Sequence, residues 1–189
     1  MAVVSKGSDQ ADFLFEFGHF IILWNHVELA ARDILVWLAG GNITATILSQ
    51  QTGNASLTDA MRVSSPWKPE AKEHLLHFSN LMDTIRPYRN YYVHNLLGVL
   101  PEVETGKMIG AILSLNVKGK YTLHEKALKS EDLIEMSGYA DKTRIYGLAI
   151  LEIFKDNEDL KTRIELFSLL EKPALPKTLA KTARDPQSS

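Results

Sequence analysis

The chain has 189 residues, 45% of them hydrophobic and 23% charged, with a formal charge of −2 and a pI near 6.3. That length suits one domain with a real core, and the near-neutral charge excludes a global electrostatic footprint for nucleic acid, so any RNA contact must be local. Cysteine is absent, which rules out disulfides, thiolate metal sites and a cysteine nucleophile.

Residues 1–8 read as a disordered leader without the apolar core of a signal peptide. No apolar run approaches a membrane span, so a cytoplasmic protein without membrane contact is the expectation. From Ser8 to Leu38 the residues Phe13, Phe17, Phe20, Trp24, Val27, Ala31, Ile34 and Leu38 recur at alternating spacings of four and three. This heptad seam predicts a long helix packed lengthwise on others, ended by Gly40-Gly41. Two shorter helices follow, one capped by Asn42 and ended by Gly53, the other capped by Ser56 and running to about Val63. Ser64 to Pro69 is a break. A second long helix carries Ala71, Leu75, Phe78, Met82 and Ile85 in the same alternation. The count continues through Arg89, Tyr92 and Leu96, with Pro87 either kinking the helix or starting a new one.

After Gly98 the period becomes two, with Ile109, Ala111, Leu113, Leu115 and Val117, then Tyr121 and Leu123, and Val99 to Val103 as a partner. The pattern predicts a small antiparallel β insertion at about 99–124 in a helical body. Ser130 opens another helix whose half from Ile145 to Phe154 is nearly all apolar and expected to be central in the core. A short charged helix spans about 157–170, and 171–189 form a Pro- and Lys-rich flexible tail. One domain, 9–170, is the expectation.

Chemistry gathers at Arg89-Asn90-Tyr91-Tyr92-Val93-His94. On a helix Arg89 and His94 lie about 140° apart, so the arginine, Asn90 and the histidine share one broad arc. A guanidinium can stabilise a phosphate-like transition state, and an imidazole can move a proton near neutral pH. Arg89 also falls in the apolar column of its helix, where an unpaired charge is costly. Glu28, the one charged member of the column Leu14, Ile21, Glu28 and Leu35, is its expected partner. Helix phase alone leaves two accounts open: a buried ion pair fixing helix register, or a site.

The string Arg-Asn-x-x-x-His near a helix end, in a small α protein with long paired helices, resembles the HEPN superfamily. Its ribonucleases carry an R-x4–6-H motif, here Arg89 and His94 separated by four residues, with Asn90 as the polar residue after the arginine. The resemblance spans about residues 9–155, and only these six positions are specific. It implies an up-and-down four-helix bundle, with the small β insertion as an addition, and metal-independent RNA cleavage by a homodimer. His94 would take the 2′-hydroxyl proton or protonate the leaving 5′-oxygen, Arg89 would stabilise charge on phosphorus, and Asn90 would orient the pair. Glu28 and Tyr91 are expected to support them from behind. No cofactor or metal is required, the partners are RNA and an antitoxin or regulatory protein, and the role is that of a toxin or defence component. The alternatives are a catalytically inactive HEPN-like dimer that binds a protein or RNA, and a purely structural dimer. One departure is Leu96, where related toxins often carry a modifiable tyrosine two positions after the histidine.

Other residues read more plainly. His19 and His26 are about 10.5 Å apart along a helix, too far for one metal, and share a polar column with Asp12 and Asp33. His74 and His77 have chelating spacing but are expected to be surface histidines, and His124 to be exposed. Trp67 is expected to anchor its loop to the core in preference to stacking on a base. Gly40-Gly41-Asn42 is too short for a phosphate loop. The tail cations Lys172, Lys177, Lys181 and Arg184 are expected to solubilise.

Overall fold

The heptad seam of the first helix is a buried stripe: Phe20, Trp24, Val27, Ala31 and Ile34 have no exposure and Phe13 very little. In the computed structural model, which describes residues 8–94, 96–101, 108–115, 121–128, 130–156 and 159–176, this is helix α1, Ser8–Leu38. It stops where Gly40 and Gly41 adopt positive φ, which only glycine enters without strain, and Gly41 N–H closes back on the Val36 carbonyl at 2.8 Å. Residues 1–7 of the expected leader lie outside the described residues, and Ser8 is already helical.

Helix α2, Ile43–Gln51, is capped by the Asn42 side chain, which accepts from Ala45 N–H at 2.9 Å. Helix α3, Asn54–Ser64, starts two residues before the expected Ser56 cap. Gly53 holds the cap position with no side-chain bond, and its carbonyl receives Leu57 N–H. Pro66 lies in a short 3-10 turn, Ser65–Trp67, and Trp67 is 74% exposed, so it does not anchor its loop. Helix α4, Lys72–His94, continues unbroken past Pro87, so no new helix starts there. Proline there forfeits one backbone bond and crowds the Asp83 carbonyl, but the ring lies on the solvent side. The column Ala71, Leu75, Phe78, Met82, Ile85 and Tyr92 is buried, and the helix ends before Leu96.

Leu96 instead begins strand β1, Leu96–Pro101, which pairs antiparallel with β2, Met108–Leu115, and β2 with β3, Tyr121–Leu128, in the order β1-β2-β3. The turns expected at Thr105-Gly106 and Lys118-Gly119 lie outside the described residues. Helix α5, Ser130–Lys155, buries Tyr146, Ile150, Leu151 and Phe154 but leaves Ile145 and Leu148 on the surface, so its apolar half is not wholly internal. Helix α6, Leu160–Leu169, is capped by Asp159, whose side chain accepts from Thr162 N–H at 2.9 Å. In the first part of the expected tail, Glu171, Lys172, Ala174 and Leu175 are exposed and Pro176 is buried, and 177–189 lie outside the described residues.

The fold is mainly helical, with α1, α4 and α5 as its long members. Helices α1 and α5 share the most extensive contact. They run parallel, because Ala30 meets Gly147 and Trp37 stacks on Phe154 at 4.6 Å. Helix α4 runs the other way, with Phe78 against Gly147 and Tyr92 against Phe20. A methyl group built on Gly147 would stand 2.7 Å from the Phe78 ring and 3.3 Å from Ala30 Cβ. Glycine is what lets three helices converge there.

Candidate functional site

Arg89 occupies its column between Ile85 and Tyr92, both buried, yet is itself only half-buried. Its stem and Nε continue the packed stripe, while Nη1 reaches the exposed edge at Asn90. Its Nη1 donates to Asn90 Oδ1 at 3.3 Å. His94 is the last residue of α4, five positions and about 7.5 Å of helix beyond Arg89. The helix end therefore carries the arginine, the exposed Asn90 and the histidine within its final two turns.

Glu28 faces this region from α1. It is half-buried and accepts a hydrogen bond from Trp24 Nε1, on a residue with no exposure. Burial pushes its carboxyl above the usual glutamate range. The Trp24 bond and the positive charges of Arg89 and Arg32 pull it back down. Arg89 and Glu28 thus lie within electrostatic reach, the carboxylate acting on a guanidinium that also bonds Asn90. Arg32, one helical turn after Glu28, donates to the carbonyls of Ser49 and Thr52 at the end of α2. Sequence reasoning passed over Arg32 and Trp24, although both stand four positions from Glu28, the spacing at which helix side chains meet.

Tyr91 packs edge-on to Tyr92 at 5.7 Å, and Tyr92 in turn meets Phe17 and Phe20. Burial raises the phenol of Tyr91. It raises Tyr92 to about 12, with Asp132, Tyr91 and Tyr88 adding to the rise. Both phenols stay protonated near neutral pH and cannot act as bases there.

The remaining histidines divide by helix face. His19 and His26 are exposed on α1 with Asp12 and Asp33. His74 and His77 are not surface residues: His74 is 8% exposed with Nδ1 2.8 Å from Tyr146 Oη, and His77 Nε2 is 2.7 Å from the Pro173 carbonyl oxygen. The side chain of His124 lies outside the described residues. Among the described residues no group of three or more His, Asp or Glu could hold a metal ion, and no helix is long and apolar enough to cross a membrane.

The arrangement sets the Arg89 guanidinium at the end of α4 within the field of the half-buried Glu28 carboxyl. Comparison with protein families, with curated proteins and with solved structures finds no match for this chain.

Proposed function

We propose that the chain is a metal-independent endoribonuclease of the HEPN type, a helical bundle with a small β insertion that acts as a homodimer in toxin or defence chemistry. The observation that carries the reading is Arg89. It takes a core-column position on α4, is left half-buried at the helix end, bonds Asn90, and lies in the field of the half-buried Glu28. Register-fixing alone would be served by burying the pair fully; partial exposure beside His94 suits a group that meets a phosphodiester.

In this mechanism His94 accepts the proton of the ribose 2′-hydroxyl as its oxygen attacks phosphorus, or delivers one to the departing 5′-oxygen from the second copy of the motif. Arg89 neutralises charge gathering on the phosphorane oxygens, and Glu28 and Asn90 hold its plane. The products are a 2′,3′-cyclic phosphate and a free 5′-hydroxyl, so atoms balance without water in the first step. The homodimer has a surface to use: Phe15, Ile22 and Leu29, seven apart on α1, are each more than half exposed.

The test is cleavage of a panel of single-stranded RNAs at low salt in EDTA, with light scattering for mass. His94→Ala and Arg89→Ala should each lose about 10²–10⁴-fold in rate while remaining folded dimers. DNA should resist, because the nucleophile belongs to the ribose. No cleavage across the panel would instead favour a silent dimer that binds a protein or RNA, and cleavage persisting in His94→Ala would place the chemistry elsewhere.

A further inference from the structure

Trp37 lies in the last turn of α1, its ring stacked on Phe154 of α5 at 4.6 Å. Two cations from other parts of the chain stand over the same ring. Lys68 Nζ, from the turn before α4, is 5.0 Å from its centroid, and the Arg163 guanidinium, near the start of α6, is 5.9 Å from it. Trp37, Lys68 and Arg163 are each half-buried, so the group opens to solvent at its rim. Among the described residues neither cation forms an ion pair or a donated hydrogen bond, and Arg163 Nε is buried without a partner.

Two like charges gathered at one ring repel each other, so something must favour the arrangement. The negative end of α1 and the indole face both attract cations. These attractions leave the ammonium and the guanidinium fork without an oxygen to donate to. Asp159 feels the charge of Arg163, but its side chain is committed to capping Thr162 N–H. Next to Lys68 in the chain stands Trp67, 74% exposed and so of little use to the core. Unpaired cations and a free aromatic face therefore occur together in one segment.

We propose that Trp67, Lys68 and Arg163, with Trp37 beneath the two cations, form a binding surface for single-stranded nucleic acid. Arg163 takes phosphate oxygens with its planar fork, Lys68 supplies a point charge to the backbone, and Trp67 stacks on a base. The occupant follows from the combination. A small anion would use the cations and leave Trp67 in water, an apolar peptide would use Trp67 and leave the cations unpaired, and a duplex keeps its base faces stacked within itself. A single strand offers phosphates and open base faces together. With a net charge of −2 the chain has no general attraction for such a strand, so a local group must supply it. The surface is distinct from the Arg89-to-His94 segment, since about 26 Å of helix separate Lys72 from Arg89. It does not rest on the cleavage reading, because stacking and phosphate contacts make no use of a 2′-hydroxyl.

Fluorescence anisotropy of a labelled single-stranded DNA of about 12 nucleotides, titrated with the full chain at low salt in EDTA, tests this. DNA lacks the 2′-hydroxyl, so binding is read without cleavage and the two readings fail separately. The strand should bind saturably, and Trp67→Ala should weaken it by about fivefold or more while leaving the affinity for a duplex of the same sequence unchanged. Lys68→Gln combined with Arg163→Gln should weaken it too, and should flatten the slope of log K against log salt by about 1.4, the share of two single-strand phosphate contacts. Thermal melts check that each variant is folded; the exposed Trp67 ring makes Trp67→Ala the arm that stands even where loss of Arg163 unsettles α6. No binding of the single strand at low salt, an affinity unmoved by Trp67→Ala, an equal loss for strand and duplex, or an unchanged salt slope in a folded double variant would each overturn the proposal.

Discussion

The two ends of helix α4 make an instructive pair. Both carry a basic residue on or beside one apolar column, His74 at the start and Arg89 near the finish, with Phe78 between them. At the first end the polar group is closed in: the Phe167 ring of α6 lies 5.4 Å from the imidazole, and Nδ1 is paired with the Tyr146 hydroxyl. At the second Arg89 is half-buried, with Asn90 bonded to its Nη1 and the Glu28 carboxylate within electrostatic reach, and the helix ends at His94. Polarity in a helix seam therefore means different things according to what covers it. Covered and satisfied, it organises packing; uncovered beside other polar groups, it is available to a ligand.

The sharpest way to break that contrast is at the residue separating the ends. Phe78→Ala removes a fully buried ring that meets both Tyr146 and the gap at Gly147, and should cost about 3–5 kcal/mol in denaturant melts. A much smaller loss would mean that the two ends are not joined through one core. His74→Leu should cost about 1–3 kcal/mol, because it strands the buried Tyr146 hydroxyl; a neutral result would remove the claim that this end is polar for structural reasons. At the other end, Glu28→Gln and Arg89→Leu should each destabilise, and the double variant less than their sum, with a coupling of about 0.5–3 kcal/mol. Additive effects would show that the carboxylate and the guanidinium do not act on each other.

Acid should separate the ends by sign. The Glu28 carboxyl is raised on folding, so its favourable contribution is fully present below the ordinary value of 4.5 and is lost as pH rises through its higher folded value. His74 is lowered, so its contribution is present above 6.5 and lost as pH falls. Melting between pH 7.5 and 4 should therefore show a declining limb that His74→Gln flattens, and a partial recovery that Glu28→Gln removes. The smallest effect is expected away from both ends: Trp67→Ala, at a 74% exposed ring, should change stability by no more than about 0.5 kcal/mol.

Where sequence and structure agree, the information was local. The span Ser8–Leu38 is readable because a heptad seam and a glycine pair state both its phase and its end. Asn42 is readable as a cap because its side chain makes the bond that the pattern implies, whereas Gly53 begins α3 without a side-chain signal and drew attention to Ser56 instead. The segment of period-two alternation, 109–117, and strand β2, Met108–Leu115, coincide over most of their length. What was not legible depended on distant partners. His74 and His77 look like a surface pair until Tyr146 and Pro173, 72 and 96 residues later, cover them. The phase of His74 between Ala71 and Phe78 was the one available warning. The Arg89–Glu28 relation was legible from helix phase, whereas Arg32 and Trp24 needed the spacing of four around Glu28 to be taken seriously.

The parallel course of α1 and α5 carries a consequence for biosynthesis. Their matched contacts, Ala30 with Gly147 and Trp37 with Phe154, each join residues 117 positions apart. During synthesis α1 therefore emerges with its aromatic seam made and its main partner not yet translated. At about 5–20 residues per second that interval lasts on the order of 6–25 seconds, with Phe20, Trp24 and Val27 accessible to chaperones or to other nascent chains. Closing so long a loop carries a larger entropic cost than joining α3 to α4, its neighbour in sequence. A cell making this protein must keep an apolar helix from finding the wrong mate until the chain that encodes the right one has been made.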